Sequence, residues 1–471
     1  MNLPQPARRL ASPWAWLPPL AFVAAGAALR LTFPYDIEFK ADERGFFESA
    51  RAIAAGHAWP WIGPDTSIGS PAAPMSSWIL GAMAWASGAA TPPDLARCVQ
   101  ISNIVALAVF AFGAWRMAAP LRTTWLWAAA LWAVNPIAVI LERKIWNPSL
   151  LPLPAVLCYF AWLARRRPWA AFAWGLLGAV ITQIHTGGGF LALSLAIWAL
   201  LREPRAFPWL PWAAGSLVGA APAIPWLAHL AAFHGLAGHK GLRPPNPGFY
   251  LRFFIQPFGF GADYSLGKRA FVDFLAWPRL GTTATWLVGV LHLALVVLTL
   301  NVFIRGGRAF WASGGLTWRA VFLGRDAADT LVCAALWGYG GFLTLITLGA
   351  ADSHRHYLEL VAPLMALWCA RTVLIGAPPD GLAAARVVLP ALCAIQLAIS
   401  GSLLVYIDQR QVIPGDYGTI WRAQKTPPRM KWSQWPGLTP GAAAQAAPGR
   451  AGDTPGGAHY REPGADKKVG E

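Results

Sequence analysis

The sequence predicts an all-α, polytopic membrane helix bundle, and three observations carry that prediction. Of the 471 residues, 56% are hydrophobic and only 13% charged, a balance suited to a chain that turns most of its surface to lipid. Apolar runs of about spanning length recur along the chain, separated by short polar turns. Lys and Arg punctuate those runs and form no single stripe. The formal net charge of +16 therefore reads as membrane orientation and attraction to anionic head groups, and nucleic-acid binding is excluded.

The runs fall near 13–33, 98–116, 123–141, 148–164, 169–185, 187–201, 207–230, 281–304, 329–350, 355–373 and 387–407, which predicts about eleven transmembrane helices. The first follows Arg8 and Arg9, is broken by Pro18-Pro19, and is long enough to span, so it reads as an uncleaved first helix. With the N-terminus in the cytoplasm, five basic groups share its side: Arg116 and Arg122; Arg165 to Arg167; Arg202 and Arg205; Arg305, Arg308, Arg319 and Arg325; and Arg371 with Arg386. Ser76 to Gly88 is short for a span, and a crossing there would break this agreement. It is placed in the first outer loop, at the interface.

On this topology residues 1–408 form one multispan domain with outer loops 34–97, 142–147, 231–280 and 352–356. Residues 409–471 form a Pro-, Gly- and Ala-rich outer tail expected to be largely disordered and to carry no site. The loop 231–280, with its Pro244 to Gly248 turn and the aromatic stretch Phe249 to Phe260, is expected to be an ordered cap or lid with interfacial aromatics. Cys98, Cys158, Cys333, Cys369 and Cys393 lie in or beside apolar runs and are expected as small core residues. No repeat of fixed period and no inverted similarity of halves is visible.

Nearly all the acidic and histidine chemistry collects on the outer face. Asp42 and Glu43 open an amphipathic juxtamembrane helix whose apolar positions Phe46, Phe47, Ala50, Ile53 and Ala54 recur at helical spacing until Gly56. A carboxylate there can deprotonate an acceptor hydroxyl; equally, Asp42 can cap the helix and Glu43 satisfy its dipole. In the next outer turn, Glu142-Arg143-Lys144 places charges where positive-inside reasoning does not ask for cations, which points to a phosphate or a partner carboxylate. Asn147-Pro148 reads as a helix cap and first position. His185 precedes Gly187-Gly188-Gly189, where backbone can approach a ligand closely, and Asp352 to Tyr357 supplies Arg355 flanked by His354 and His356. No HExxH or Cys/His cluster is present, and the scattered His and Glu leave open whether a divalent metal takes part.

Taken in order, the Asp42-Glu43 pair, the Pro71 to Trp78 entry into a short apolar helix, the Arg143 to Leu151 turn and the Arg355 to Pro363 segment resemble motifs of the polyprenyl-phosphate-sugar-dependent glycosyltransferases of the C superfold. The resemblance is to the bacterial protein-mannosyltransferase-like and aminoarabinose-transferase-like branch, family 39-like, and spans residues 10–373. It implies a glycosyltransferase C-type fold in a bacterial inner membrane, with the active face periplasmic. It further implies a polyprenyl-phosphate sugar donor, such as an undecaprenyl phosphate sugar, and an acceptor hydroxyl on protein, lipid or glycan. Asp42, with Glu43, matches the catalytic acid of the first outer loop. Arg143, Lys144 and Arg355 would hold the donor phosphate, and Glu142, His185, His354 and His356 would face substrate or a metal. Asn147 stands where many relatives carry Asp before Pro, so no acidic role is carried to it.

Two other readings belong beside this one. A transporter or flippase of a lipid-linked substrate would place ionisable residues near mid-membrane, whereas most of the runs here lack acids inside. An inactive relative would bind lipid-linked sugar without transferring it, or scaffold an envelope complex.

Overall fold

The computed structural model describes residues 16–57, 59–64, 71–232, 244–312, 317–349, 354–375 and 381–424. Arg8, Arg9, Asp352, Ser353 and the tail beyond Gln424 lie outside them. Each of the eleven apolar runs carries helix. The chain begins with α1 (Leu17–Leu31), α2 (Ala41–Ala54), α3 (Met75–Ser87), α4 (Pro92–Trp115), α5 (Ala119–Val134) and α6 (Pro136–Leu141). It continues with α7 (Pro152–Leu163), α8 (Pro168–Ile184), α9 (Gly187–Arg202), α10 (Trp209–Ala220) and α11 (Ile224–Ala232). Then come α12 (Gly248–Ile255), α13 (Ala262–Leu275) and α14 (Leu287–Ala312), with a small hairpin of β1 (Arg279–Leu280) and β2 (Thr283–Ala284) before α14. The last helices are α15 (Trp318–Leu323), α16 (Ala327–Cys333), α17 (Gly340–Ile346), α18 (Ala362–Ile375) and α19 (Gly381–Arg410), followed by the hairpin β3 (Val412–Ile413) and β4 (Gly418–Thr419).

Among the described residues, five helical stretches are long and apolar enough to cross a membrane: Pro92–Trp115, Trp209–Ala232, Leu287–Arg308, Ala327–Ile346 and Arg386–Arg410. Shorter apolar helices stand beside them. Leu210 and Leu217 on α10 are 81% and 74% exposed, and Leu293 and Val297 on α14 are 63% and 59% exposed. Such side chains are favourably covered only by lipid, which makes this a multi-pass membrane protein.

At the centre stands α5, apolar on every side and buried from Trp125 to Val134, with α1, α4, α18 and α19 around it. Small residues let other helices meet backbone to backbone. A Cβ on Gly215 of α10 would strike the backbone of Phe172, and one on Gly175 of α8 that of Trp212, so this pair packs at close range. The five cysteines are free, and four are buried.

Several local expectations are corrected. The run 123–141 is not one helix. Asn135 ends α5 and caps α6, its Oδ1 accepting from the N–H groups of Ile137 and Ala138 at 3.2 and 3.3 Å, with Pro136 at the first helical position. Asn147, expected to do this, makes no cap; its Nδ2 donates to Ile184 O at 3.4 Å. Lys40, not Asp42, occupies the cap position of α2, and Glu43 three residues later accepts from the Lys40 N–H at 3.0 Å. In the loop 231–280, Phe249, Phe253 and Phe258 are core residues, because α12 and α13 fold inward against α17 to α19. The tail does not lose its structure at residue 409: the chain to Gln424 folds back onto the first loop. There Trp421 N–H donates to Ile37 O at 3.0 Å and Glu38 bridges Ile420 as an antiparallel pair.

One buried contact ties the core to the end where these loops meet. Arg30 of α1 is fully buried, its Nε 2.7 Å from Glu142 Oε2, with its NH1 donating to the carbonyls of Gly26 and Ala133 at 2.8 and 2.7 Å. Trp132 Nε1 donates to the other Glu142 oxygen at 2.8 Å. Arg30→Met is therefore expected to lower stability by about 3–5 kcal/mol, because a buried carboxylate loses its counter-ion. Arg30→Met with Glu142→Leu is expected to recover most of that loss in thermal unfolding of the detergent-solubilised protein. Equal loss in both variants would show that Arg30 acts through its backbone bonds alone.

Candidate functional site

Five pieces of chain converge at one end of the bundle: the segment after α1, the start of α2, the turn between α6 and α7, the one-turn linker before α9, and the 3-10 turn Arg355–Leu360 before α18. The sequence of the first piece, Asp36-Ile37-Glu38-Phe39-Lys40, alternates charged and apolar residues, the pattern of an extended strand. It lies extended against Ile420 to Arg422, and every residue from Asp36 to Phe39 is buried.

The chemical centre is Lys144. Its ammonium is buried, 2.5 Å from Glu38 Oε2, 3.8 Å from Glu43 Oε1 and 4.6 Å from the centre of the Trp146 ring. Glu38 also meets Lys40 at 2.5 Å, and Lys40 in turn reaches Asp416 Oδ1 at 3.4 Å. A chain of alternating charge thus runs from the α6–α7 turn through the first loop to the C-terminal strap. Burial, and secondarily the Glu43 and Asp416 charges, push the Glu38 carboxyl up to about 7 against the pull of Lys144 and Lys40. Asp36 rises to about 6, through burial and its hydrogen bond with Asp408, although Arg422 Nε stands 2.6 Å away.

Each residue singled out in the sequence has a definite place. Asp42 is exposed at the second position of α2, beside Glu43 in the chain, while Glu43 is buried. Arg143 does not present a free guanidinium: it is 2% exposed, and its NH2 donates to Thr32 O and Phe33 O at 2.5 and 2.9 Å, holding the turn after α1. Glu142, expected toward substrate or a metal, has one oxygen on Arg30 and the other on Trp132, because it points into the core. Arg355 clamps Asp263 with two nitrogens, at 3.2 and 3.0 Å, and its NH1 also donates to Gly261 O at 3.0 Å. It keeps partial exposure. His185 Nδ1 accepts the Gly187 N–H at 3.1 Å.

The imidazoles do meet, but as rings. His356 packs edge-on to Trp146 at 4.6 Å and to His185 at 5.4 Å, and stacks on His354 and Tyr357 at 5.4 and 4.8 Å. Among the described residues no three His, Cys, Asp or Glu side chains form a group able to hold a metal ion. A further carboxyl stands close by in Glu359, fully buried with neither oxygen hydrogen-bonded.

No protein-family model matches the chain, and no curated protein matches it. Solved structures similar to it include the following two. ArnT from Cupriavidus metallidurans bound to undecaprenyl phosphate aligns with a TM-score of 0.49 at 13% identity, over 84% of this chain and 77% of that one. The Archaeoglobus fulgidus oligosaccharyltransferase in its apo form aligns with a TM-score of 0.43 at 14% identity, over 89% of this chain and 59% of that one.

Sequence reasoning missed Glu38, Asp263, Glu359 and the strap. For Glu38 a signal existed in the alternation of residues 36–40. Asp263 and Asp416 meet Arg355 and Lys40 across 92 and 376 residues, and the strap meets the first loop across a comparable stretch of chain. The strap is held tightly: Tyr417 Oη donates to Asp36 O at 2.5 Å, Gln424 Nε2 to Phe39 O at 2.6 Å, and a Cβ on Gly415 would strike the backbone of Leu266 and Gly267. Gly415→Ala is accordingly expected to loosen the strap and speed tryptic cleavage after Arg422 several-fold in the folded protein. Unchanged cleavage would mean the strap tolerates the shift without leaving its place.

Proposed function

We propose that this protein is a membrane glycosyltransferase that moves a sugar from a polyprenyl-phosphate donor to an acceptor hydroxyl. The sequence resemblance supplies the reaction class. The observation that carries the reading is the meeting, at one end of a membrane bundle, of a buried lysine set between carboxylates, a partly exposed arginine and an exposed acid at a helix start. A phosphate leaving group needs cations, and an acceptor hydroxyl needs a base; these residue types supply both.

In this reading Asp42 takes the hydroxyl proton while the acceptor oxygen attacks the anomeric carbon, and the bond to the phosphate oxygen breaks. Lys144 and Arg355 hold the charge left on the polyprenyl phosphate. Arg355 reaches the donor by exchanging its half-exposed partner Asp263 for phosphate. Arg143 and Glu142 serve the site through the backbone they position. Glu43 closes the first turn of α2 and so orients Asp42. The imidazole and indole rings of His185, His354, His356 and Trp146 form a wall suited to a sugar ring. The chain makes eleven crossings of a bacterial inner membrane with a cytoplasmic N-terminus, the site opens to the periplasm, and residues 1–408 form the catalytic domain, completed by the strap to Gln424.

Radiolabelled polyprenyl-phosphate sugars presented to membranes containing the protein test this directly. Asp42→Asn is expected to cut transfer by about 10²–10⁴-fold while leaving donor binding intact. If the unaltered protein neither binds nor consumes any donor, the transport and scaffold readings take its place.

The Glu38 carboxyl adds a pH dependence with a definite sign. Raised to about 7, it carries a proton on the acid side of neutrality and a negative charge on the alkaline side. The charged form competes with a donor phosphate for Lys144. Binding of a phosphodiester-linked donor, whose own charge is constant over this range, is expected to tighten by about tenfold from about pH 8 to about pH 6. Glu38→Gln should bind tightly throughout, with a flat profile. A sloping profile retained in that variant would assign the proton to another group.

A further inference from the structure

The turn Arg355–Leu360, which brings Arg355 and His356 into the site, is a single 3-10 segment of six residues. Such segments bond less well internally than an α-helix, so their position depends on what holds them from outside. The sequence adds a defect at the far end of this one. Pro363 has no N–H to return to the Leu360 carbonyl, and the Leu364 N–H goes to Val361 O at 2.9 Å. The usual backbone donors to Leu360 O are thus missing or engaged, at a residue that is fully buried.

Two tyrosines from neighbouring helices supply the turn with donors. Tyr159 of α7 donates its hydroxyl to Leu360 O, and Tyr339 donates its hydroxyl to Tyr357 O at 2.8 Å. Both tyrosines are fully buried in the apolar core. A buried phenol is unfavourable beside a phenyl ring unless its hydroxyl is bonded, and here each hydroxyl is directed at the site turn.

The chain around Tyr339 favours this contact. Between α16 and α17 the helix widens into a π-type turn, Ala334–Tyr339, an irregularity that re-aims side chains and is frequent beside functional sites. A Cβ on Gly338 would meet the Ser194 side chain of α9, and one on Gly340 would strike the Phe249 ring of α12. Neighbouring helices therefore close in on both sides of Tyr339, and its ring stands edge-on to Phe249 at 5.7 Å.

We propose that Tyr339 and Tyr159 are positioning residues of the transfer site. Their hydroxyls hold the turn Arg355–Leu360 so that Arg355 faces the donor phosphate and His356 stays against Trp146 and His185. What the turn does for the donor rests on the transferase reading; what holds the turn rests on these two bonds.

Tyr339→Phe and Tyr159→Phe in the full chain each keep the ring and remove one hydroxyl, and thermal unfolding checks that the variants are folded. Modification of histidines by diethyl pyrocarbonate, followed residue by residue by mass spectrometry, reports on the turn itself. Reaction at His356 is expected to quicken by about fivefold in each variant, while His292 on α14 reacts as before. Unchanged reaction at His356 in both variants would overturn the proposal. The second readout is binding of undecaprenyl phosphate in detergent. Either substitution is expected to weaken it by about fivefold, and to weaken it no further once Arg355→Gln is present. Equal weakening with and without Arg355→Gln would make the tyrosines general supports of the bundle and also overturn the positioning role. If the intact protein binds no undecaprenyl phosphate, the donor reading fails, and the His356 rates alone decide whether the hydroxyls hold the turn.

Discussion

The arrangement of this protein depends on the buried ion pair between Arg30 and Glu142. It joins the first helix to the turn that carries Lys144, and it does so inside the bundle, where neither charge can turn to water. Taking both from water is costly, and the pair is offset by further hydrogen bonds, two backbone carbonyls on Arg30 and one indole N–H on Glu142, although Arg30 Nη2 has no hydrogen-bond partner among the described residues. Its neighbours continue the network. Asn103 Nδ2 donates to the carbonyls of Glu142 and Ser149 at 3.0 Å each, and Ser149 Oγ closes back on Leu141 O at 2.6 Å. The turn 142–151 thus has a fixed shape before any substrate chemistry is considered.

That shape explains how charges are divided within three consecutive residues. Glu142 faces the core, Arg143 holds the carbonyls after α1, and Lys144 meets the first-loop carboxylates. A turn cannot aim three successive side chains at one ligand, because each step along the backbone redirects the next Cβ. One cation from this turn reaches the carboxylate cluster. The other serves the scaffold that places it.

The C-terminal strap has a comparable role. Strand-like pairing of residues 420–422 against 35–38 provides partners for backbone groups that would otherwise be buried without them, and it delivers Asp416 to Lys40. With Arg422 between Asp36 and Asp408, the strap also ties the end of α19 to the first loop. A segment whose composition favours disorder is ordered here by a template, the extended edge of residues 35–39.

The sequence alone determined the class of the molecule. Apolar length, basic punctuation and the rarity of acids inside the runs follow from the demands of lipid on any chain, and these demands act locally. It also led to the expectation that most acids and histidines would gather at one end of the helices and most arginines at the other, because helix length and alternation of turns sort the polar ends. Asp42, Glu43, Lys144, Arg355 and the histidines were legible because they stand at the polar ends of apolar runs. Which of them face one another was decided only by tertiary structure. Arg143 and Lys144 are adjacent and chemically alike in sequence, and no local rule says which is consumed by a carbonyl and which by Glu38. Asp263 and Asp416 become partners of Arg355 and Lys40 only when distant segments pack, because an ion pair depends on distance in space and carries no periodicity that a sequence can display.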